Sequence, residues 1–298
     1  MEFEKRFSTD QSCALYLRQL RWPEGFACPV CQSKRFWETN RSSFFCADCK
    51  RQTSVTAGTI FDRTKIPLRL WFRAAWLVTS EKNGISALGL QRQLGLSRYE
   101  TAWLILGKLR RAMVRPGRES LSGEVEVDET FIGGVDPNGG RRHIGYKALV
   151  AMAVEIKGEG MGRVRLHRIR DSSAKSLKSF IKQAVAPGSA ITTDGWQGYA
   201  GLVKEGYLHT PYVVQGKTQN KKLSVTLLPR VHRVASLLKR WLLGTHQGGI
   251  DAEQHLEEYL DEFTFRFNRR TSASRGKLFY RLIQQATEIG PASTDCGN

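Results

Sequence analysis

The residues best suited to chemistry fall into two groups that select different metals. Cys28 and Cys31 form one C-x2-C pair and Cys46 and Cys49 form a second, with 14 residues between Cys31 and Cys46. Paired thiolates at this spacing close a tetrahedral site around Zn²⁺ and leave no position open for a substrate, so the site is structural. The second group is acidic. In "GEVEVDETFIGG", residues 123–134, an alternating strand puts Val125 and Val127 on one face and Glu124, Glu126 and Asp128 on the other. "SAITTDGW" places Asp194 at the end of another short strand. Carboxylate oxygens select hard cations, Mg²⁺ or Mn²⁺. Two such ions about 3.5–4 Å apart activate an attacking oxygen and stabilise a leaving one in phosphodiester chemistry.

The elements that must position these residues differ along the chain. "RFWET" and "SFFCADC" read as short strands between the cysteine pairs, giving a zinc ribbon. A ribbon of about 25 residues builds no core unaided, so the metal must supply folding energy. Lys34, Arg35, Arg41, Lys50 and Arg51 surround it and suit phosphates. Ahead of the ribbon, Thr9 caps a short helix whose buried stripe is Ala14, Leu15, Leu17 and Leu20, with Cys13 as a small core residue.

Residues 66–117 read as helical, with Leu68, Trp71, Ala75 and Leu77 at near-helical spacing. "GISALGLQRQLGLSRYETAWLILGKLRRAM" offers two helices joined by a tight turn at Gly95. Ile85, Leu88 and Leu94 face inward on the first, and Ala102, Ile105, Leu106 and Leu109 on the second. Ser97 and Glu100 have capping-box spacing. This suits a helix-turn-helix, which brings Ser97, Arg98 and Tyr99 to base edges and phosphates; a plain helical hairpin reads the same way. Residues 114–123 read as a linker.

From residue 123 the order becomes three strands, a helix, a strand and further helices, the order of a ribonuclease H-like α/β fold with a mixed sheet and flanking helices. Its first and fourth strands are neighbours, so Asp128 and Asp194 meet at adjacent strand ends. Two carboxylates brought close at neutral pH repel unless a cation sits between them. Asp194 precedes Gly195 and also suits a turn. Glu124 and Glu126 suit solvent, basic neighbours, or support of the site from behind. The resulting spans are 1–60 for lead-in helix and ribbon, 61–117 for the helical DNA-binding region, 118–288 for the catalytic domain, and 289–298 for a disordered tail with an incidental Cys296.

Composition sets the context. The chain of 298 residues carries 46 Lys+Arg against 28 Asp+Glu, a net charge of +18, which suits a polyanionic partner, above all nucleic acid. At 41% hydrophobic it affords a core. No apolar run approaches the ~20 residues needed to span a bilayer, and "MEFEKRFSTD" lacks the apolar segment of a signal peptide, so no membrane partner and a cytoplasmic, nucleoid-associated location are expected.

The chain resembles the insertion-sequence transposases that join an N-terminal zinc ribbon to a DDE-type catalytic domain. "RWPEGFACPVC", "TAGTIF", "GEVEVDETFIGG", "TTDGWQGY", "SLLKRWLLGTHQG" and "LDEFTFRFNRR" carry the resemblance over most of the length. It implies that Asp128 and Asp194 are the first two catalytic acids and Mg²⁺ or Mn²⁺ ligands. The third acid, usually Glu, lies four residues before a Ser-Leu-Leu-Lys-Arg run, here Ser236–Arg240, so its place is taken by His232. A neutral imidazole can ligate a divalent metal or act as a base but adds no negative charge, so weaker Mg²⁺ and relatively better Mn²⁺ support are expected. Lys239 holds the position of a family lysine that touches DNA near the reacting end. The resemblance further implies 3′-end cleavage at terminal inverted repeats, joining to target DNA, and a homodimer or higher oligomer on DNA. Two other readings keep the same zinc site: a non-catalytic zinc-ribbon/helix-turn-helix regulator, and a ribonuclease H-like nuclease that cuts without joining.

Overall fold

A short helix, α1 (Glu2–Arg6), leads into α2 (Asp10–Arg21). Thr9 starts α2 as expected: its hydroxyl accepts the Ser12 backbone N–H at 3.1 Å, and Ser12 Oγ accepts the Thr9 N–H at 3.3 Å. The computed structural model describes residues 2–39, 43–115, 117–133, 147–212, 227–247 and 255–290. The chain divides into two units, residues 1–115 with 272–298, and residues 116–271. The polar loop at 134–146, the basic stretch at 215–222 and Cys296 lie outside the described residues.

In the first unit, β1 (Phe36–Thr39), β2 (Ser43–Cys46) and β3 (Gln52–Ser54) form the antiparallel ribbon sheet. Three helices follow: α3 (Leu68–Ser80), α4 (Ala87–Leu94) and α5 (Tyr99–Ala112). Gly95 ends α4 in the left-handed conformation at φ 64°, which a side chain would strain. The helix-turn-helix spacing is therefore present, but its details depart from the sequence reading. Arg98, not Ser97, is the N-cap of α5, without a side-chain cap, because Ser97 still lies within the turn. Leu88 is 46% exposed and Leu90 takes its place in the core, while Leu15 of α2 is 51% exposed beside buried Cys13, Ala14 and Leu17. The last helix of the chain, Arg275–Glu288, packs against α2, α3 and α5 in this unit, although the sequence reading ran the catalytic domain to residue 288. Phe279 on that helix explains this, since its ring meets Phe7 at 5.5 Å and Phe72 at 5.7 Å.

The second unit is built on a five-stranded sheet. Its strands are β4 (Glu124–Ile132), β5 (Ala148–Lys157), β6 (Gly160–Ile169), β7 (Ala190–Asp194) and β8 (Leu208–Tyr212), ordered β6-β5-β4-β7-β8. β4 pairs antiparallel with β5 and parallel with β7. This is the ribonuclease H-like order, with the first and fourth strands adjacent; β8 adds an edge strand that the sequence reading lacked. Residue 121, placed in a linker by sequence, is a buried leucine that bridges Val185. The segment 197–206, read as one helix, is two 3₁₀ turns, Gln197–Tyr199 and Leu202–Glu205.

Both sheet faces are covered. Val125, Val127, Ala151 and Ala153 pack on Leu177, Phe180 and Ile181 of α6 (Ala174–Ala184). Val150, Met152 and Val154 pack on α7 (Pro229–His246) and α8 (Leu256–Asn268) through Val231, Val234, Leu238, Leu260 and Phe263. The alternation read in β4 therefore sorts real layers: valines toward α6, acids toward α7.

On α8, burial and then Glu257 push the Asp261 carboxyl up to about 7, with Arg118 and His167 opposing and Glu258 assisting. The unfolded chain ionises the same group near about pH 4. The folded protein thus keeps a proton that the unfolded chain has released, so this contribution to stability is whole below about pH 4 and is lost as pH rises through about 7. His167, raised by the hydrogen bond it donates to Glu257, loses its contribution in the same direction. Asp261→Asn, which cannot ionise, is expected to raise Tm at pH 8 and leave it nearly unchanged at about pH 3. Thermal unfolding at both pH values checks this; equal shifts at the two would reject it.

Candidate active site

Asp128 lies near the middle of β4, two residues past the last β4–β7 pair, Glu126 opposite Thr192, and Asp194 ends β7 two residues past the same pair. Asp128 Oδ2 is 3.7 Å from His232 Nδ1 on α7. Asp128 Oδ1 accepts the Glu129 backbone N–H at 2.8 Å. Burial pushes the Asp128 carboxyl up to about 6, and Asp194 raises it further, while the Glu129 N–H and the Lys239 ammonium oppose the shift. Lys239 Nζ donates to Thr130 Oγ1 at 2.7 Å. Burial, and then Lys147, hold that ammonium below its ordinary range. Alternate residues of one strand face, Glu126, Asp128 and Thr130, thus meet α7 at Arg230, His232 and Lys239.

Asp194 is exposed and does two things at once. Its Oδ1 accepts the Trp196 backbone N–H at 3.0 Å, so the turn role suggested by Gly195 is real, and its charge still reaches Asp128. The corner beyond it is tight. Trp196 Nε1 donates to Ser172 O at 2.8 Å, and a Cβ on Gly198 would lie 2.6 Å from that nitrogen and 2.7 Å from that oxygen. Tyr199 follows, buried, and its hydroxyl donates to Glu129 Oε2 at 2.5 Å. Burial pushes Glu129 up to about 7, against the Tyr199 hydrogen bond, with Asp128 and Asp194 adding to the rise. Sequence reasoning missed Glu129, Tyr199 and Thr130. The signal for Thr130 was its position two residues past Asp128; nothing local marked the Glu129–Tyr199 pair.

The donor set of Asp128, Asp194 and His232 fits a hard divalent cation: two carboxylates, of which Asp194 raises the cost of ionising Asp128, and one imidazole nitrogen. This group is wider than the ribbon's. Among the described residues, the four cysteines form the group whose ligand atoms all lie within 4.8 Å of one another. Cys28 Sγ and Cys49 Sγ are 3.5 Å apart, as are Cys31 Sγ and Cys46 Sγ, the crowding expected of a tetrahedral thiolate site. The two knuckles share one hydrogen-bond pattern. Gln32 and Lys50, each following the second cysteine of its pair, donate to Cys28 O and Cys46 O and sit at φ 59°. Backbone N–H groups, that of Cys49 foremost, draw the Cys46 thiol down to about 6, which favours the thiolate that zinc requires.

Residues 120–268 match the family model of the ISXO2-like transposase domain, and residues 8–52 match that of a transposase zinc-ribbon domain. The chain belongs to the ISXO2-like transposase family. Its four close cysteines are the structural Zn²⁺ site of a transposase zinc ribbon. An uncharacterized protein in transposable element ISH50 of Halobacterium salinarum is 26% identical over 278 residues, covering 88% of this chain and 92% of that protein. Among solved structures, the chain is similar to one from the simian T-cell lymphotropic virus intasome in complex with PP2A regulatory subunit B56 gamma, at 16% identity, 64% of this chain, 70% of that chain and a TM-score of 0.32. A chain of the Mos1 strand transfer complex is similar at 14% identity, 73% and 75% coverage and a TM-score of 0.26.

Two outcomes follow for this transposase family member. Cys49→Ser is expected to abolish tight zinc binding and unfold the ribbon, because structural zinc supplies on the order of 10 kcal/mol to such sites. Zinc content and Trp22/Trp37 fluorescence read this; a ribbon that stays folded without metal would contradict it. Gly198→Ala is expected to cost about 1–3 kcal/mol, since backbone at Ser172 cannot yield to the added carbon. Denaturant unfolding measures it, and an unchanged midpoint would refute the tight corner.

Proposed function

We propose that this protein is a DNA transposase that cuts the 3′ ends of its own element at terminal inverted repeats and joins them to target DNA. Asp128, Asp194 and His232 are the residues that would hold Mg²⁺ or Mn²⁺. The observation that carries the reading is the approach of His232 to Asp128, at 3.7 Å, on a strand paired with the one that ends at Asp194, whose charge reaches Asp128. The family match and the basic charge support it.

The bound metal would supply charge neutralisation and activation of an oxygen nucleophile. The protein's own residues supply the rest. In the first reaction a water oxygen bonds to phosphorus, the P–O3′ bond breaks and a free 3′-hydroxyl is left. In the second, that 3′-hydroxyl bonds to a target phosphorus and displaces a target O3′. Neither step forms a bond to the enzyme. His232 offers nitrogen where relatives usually carry a carboxylate, which favours Mn²⁺ over Mg²⁺. Lys239, held on Thr130 beside Asp128, is placed to meet a phosphate near the reacting end. Arg98 and Tyr99, both exposed at the start of α5, are the proposed groove contacts of the helix-turn-helix, with Lys34, Arg35, Lys50 and Arg51 of the ribbon on flanking phosphates. An element has two ends, so at least two protomers are proposed to act together. The proposed setting is cytoplasmic and nucleoid-associated; among the described residues no helix is long and apolar enough to cross a membrane.

Incubation with labelled terminal DNA and Mg²⁺ or Mn²⁺ tests this. Wild type is expected to release 3′ ends and to join pre-cut ends to a target, with Mn²⁺ the better metal. Asp194→Ala and Asp128→Asn are expected to lose on the order of a thousandfold in both reactions while still binding the DNA. Cleavage without joining would make the protein a nuclease, and unaltered activity in Asp128→Asn would remove the site assignment.

A further inference from the structure

Glu126 takes no part in the chemistry above, yet it is a carboxylate buried to 2% exposure two residues before Asp128 on the same face of β4. A buried carboxylate is costly unless it is fully compensated. Here Oε2 accepts the backbone N–H groups of Arg230 and Val231, each at 2.8 Å, and Oε1 accepts Arg230 Nη1 at 3.1 Å. Those two N–H groups belong to the first turn of α7, where a helix has no internal acceptors and carries the positive end of its dipole. Leu228, the N-cap, offers no side-chain acceptor, and Pro229 has no N–H. Glu126 is therefore the cap of α7, supplied from a strand 104 residues away.

The node reaches further. Arg230 Nε and Nη2 also donate to Gly160 O and Gly158 O, each at 3.1 Å, so one guanidinium joins β4, α7 and the β5–β6 turn. His232 is the residue after Val231, and its approach to Asp128 begins from this fixed end. The spacing fits a second point of register. From residue 126 to 130 a strand rises ~13 Å, and from 230 to 239 a helix rises ~13.5 Å, which matches the Lys239–Thr130 contact at the far end.

We propose that Glu126 is a positioning residue that sets the Asp128–His232 separation, and with it the affinity of the acid site for a divalent metal. The inference rests on the transposase reading of that site. It also says why glutamate is needed. Glutamine would have to turn an NH₂ group toward either Arg230 or the backbone donors, and aspartate would fall one methylene short.

The test uses the full-length zinc-loaded protein and the variants Glu126→Gln, Glu126→Asp and Asp128→Asn. Hydrogen exchange of amides 230–234 is read without divalent metal, and Mn²⁺ binding is read by electron paramagnetic resonance of the free ion. In Glu126→Gln, exchange in the first turn of α7 is expected to quicken by about tenfold while β5 amides keep their protection. The Mn²⁺ concentration for half-saturation, defined by the binding lost in Asp128→Asn, is expected to rise by about tenfold, with terminal DNA affinity unchanged. Glu126→Asp should not rescue either quantity. Unchanged exchange would overturn the cap, and quickened exchange with unchanged Mn²⁺ binding would overturn the positioning role. Should Glu126→Gln not fold, Arg230→Lys keeps Glu126 and both backbone bonds, and a smaller rise in the Mn²⁺ value is then required. Both readouts work in a protein that does not cut DNA, so failure of cleavage counts against the transposase reading alone.

Discussion

Asp128 and Asp194 repel each other, and most of the second unit serves to hold them in place regardless. Parallel pairing of β4 with β7 sets Glu124 to Glu126 beside Ala190 to Thr192, with Asp128 and Asp194 each two residues further along. The apolar layer of Val125, Val127, Ile191 and Leu177 fixes the strands from one side, and α7 closes the other. Burial first, and the neighbouring acids after it, displace Asp128 and Glu129 upward, toward neutrality. Carboxyls gathered in this way favour a proton or a cation between them. Glu129, pinned by Tyr199, keeps a further acid close to Asp128.

The two units divide the electrostatic work. A chain with a net charge of +18 attracts the phosphate backbone at long range, within the limits of salt screening. The acid site acts only at contact distance, where desolvation strengthens each charge. The ribbon combines its paired knuckles with a small core, in which Phe26, Cys28, Phe44 and Cys46 pack with Ala14 and Trp22, and Trp37 stacks on Phe45 at 4.5 Å.

What could be read in advance follows from the range of the interaction concerned. Cysteine spacing and strand alternation are local, so the zinc site and the two faces of β4 were readable. Strand order followed from element order, and so did the adjacency of β4 and β7. Glu126 was read only as one of several options, because its partners lie 104 residues away. Leu15 and Leu88 were misplaced because a leucine at a plausible helical phase does not reveal how wide the buried stripe is. Ser97 and Glu100 had the spacing of a capping box, but the turn at Gly95 consumed one residue more than that pattern allows. The placement of the last helix turned on Phe279 joining rings from the start of the chain, a contact no window along the sequence contains.

β8 has a consequence for assembly. It is the outermost strand on the β7 side, mostly exposed, and Pro211 stands one residue before its end. Proline has no N–H to donate, so the rim of the sheet there offers an interrupted row of donors. Any two copies whose sheet edges met would otherwise risk zipping together. A short rim broken by an imino acid discourages that kind of fusion and leaves union between copies to other surfaces.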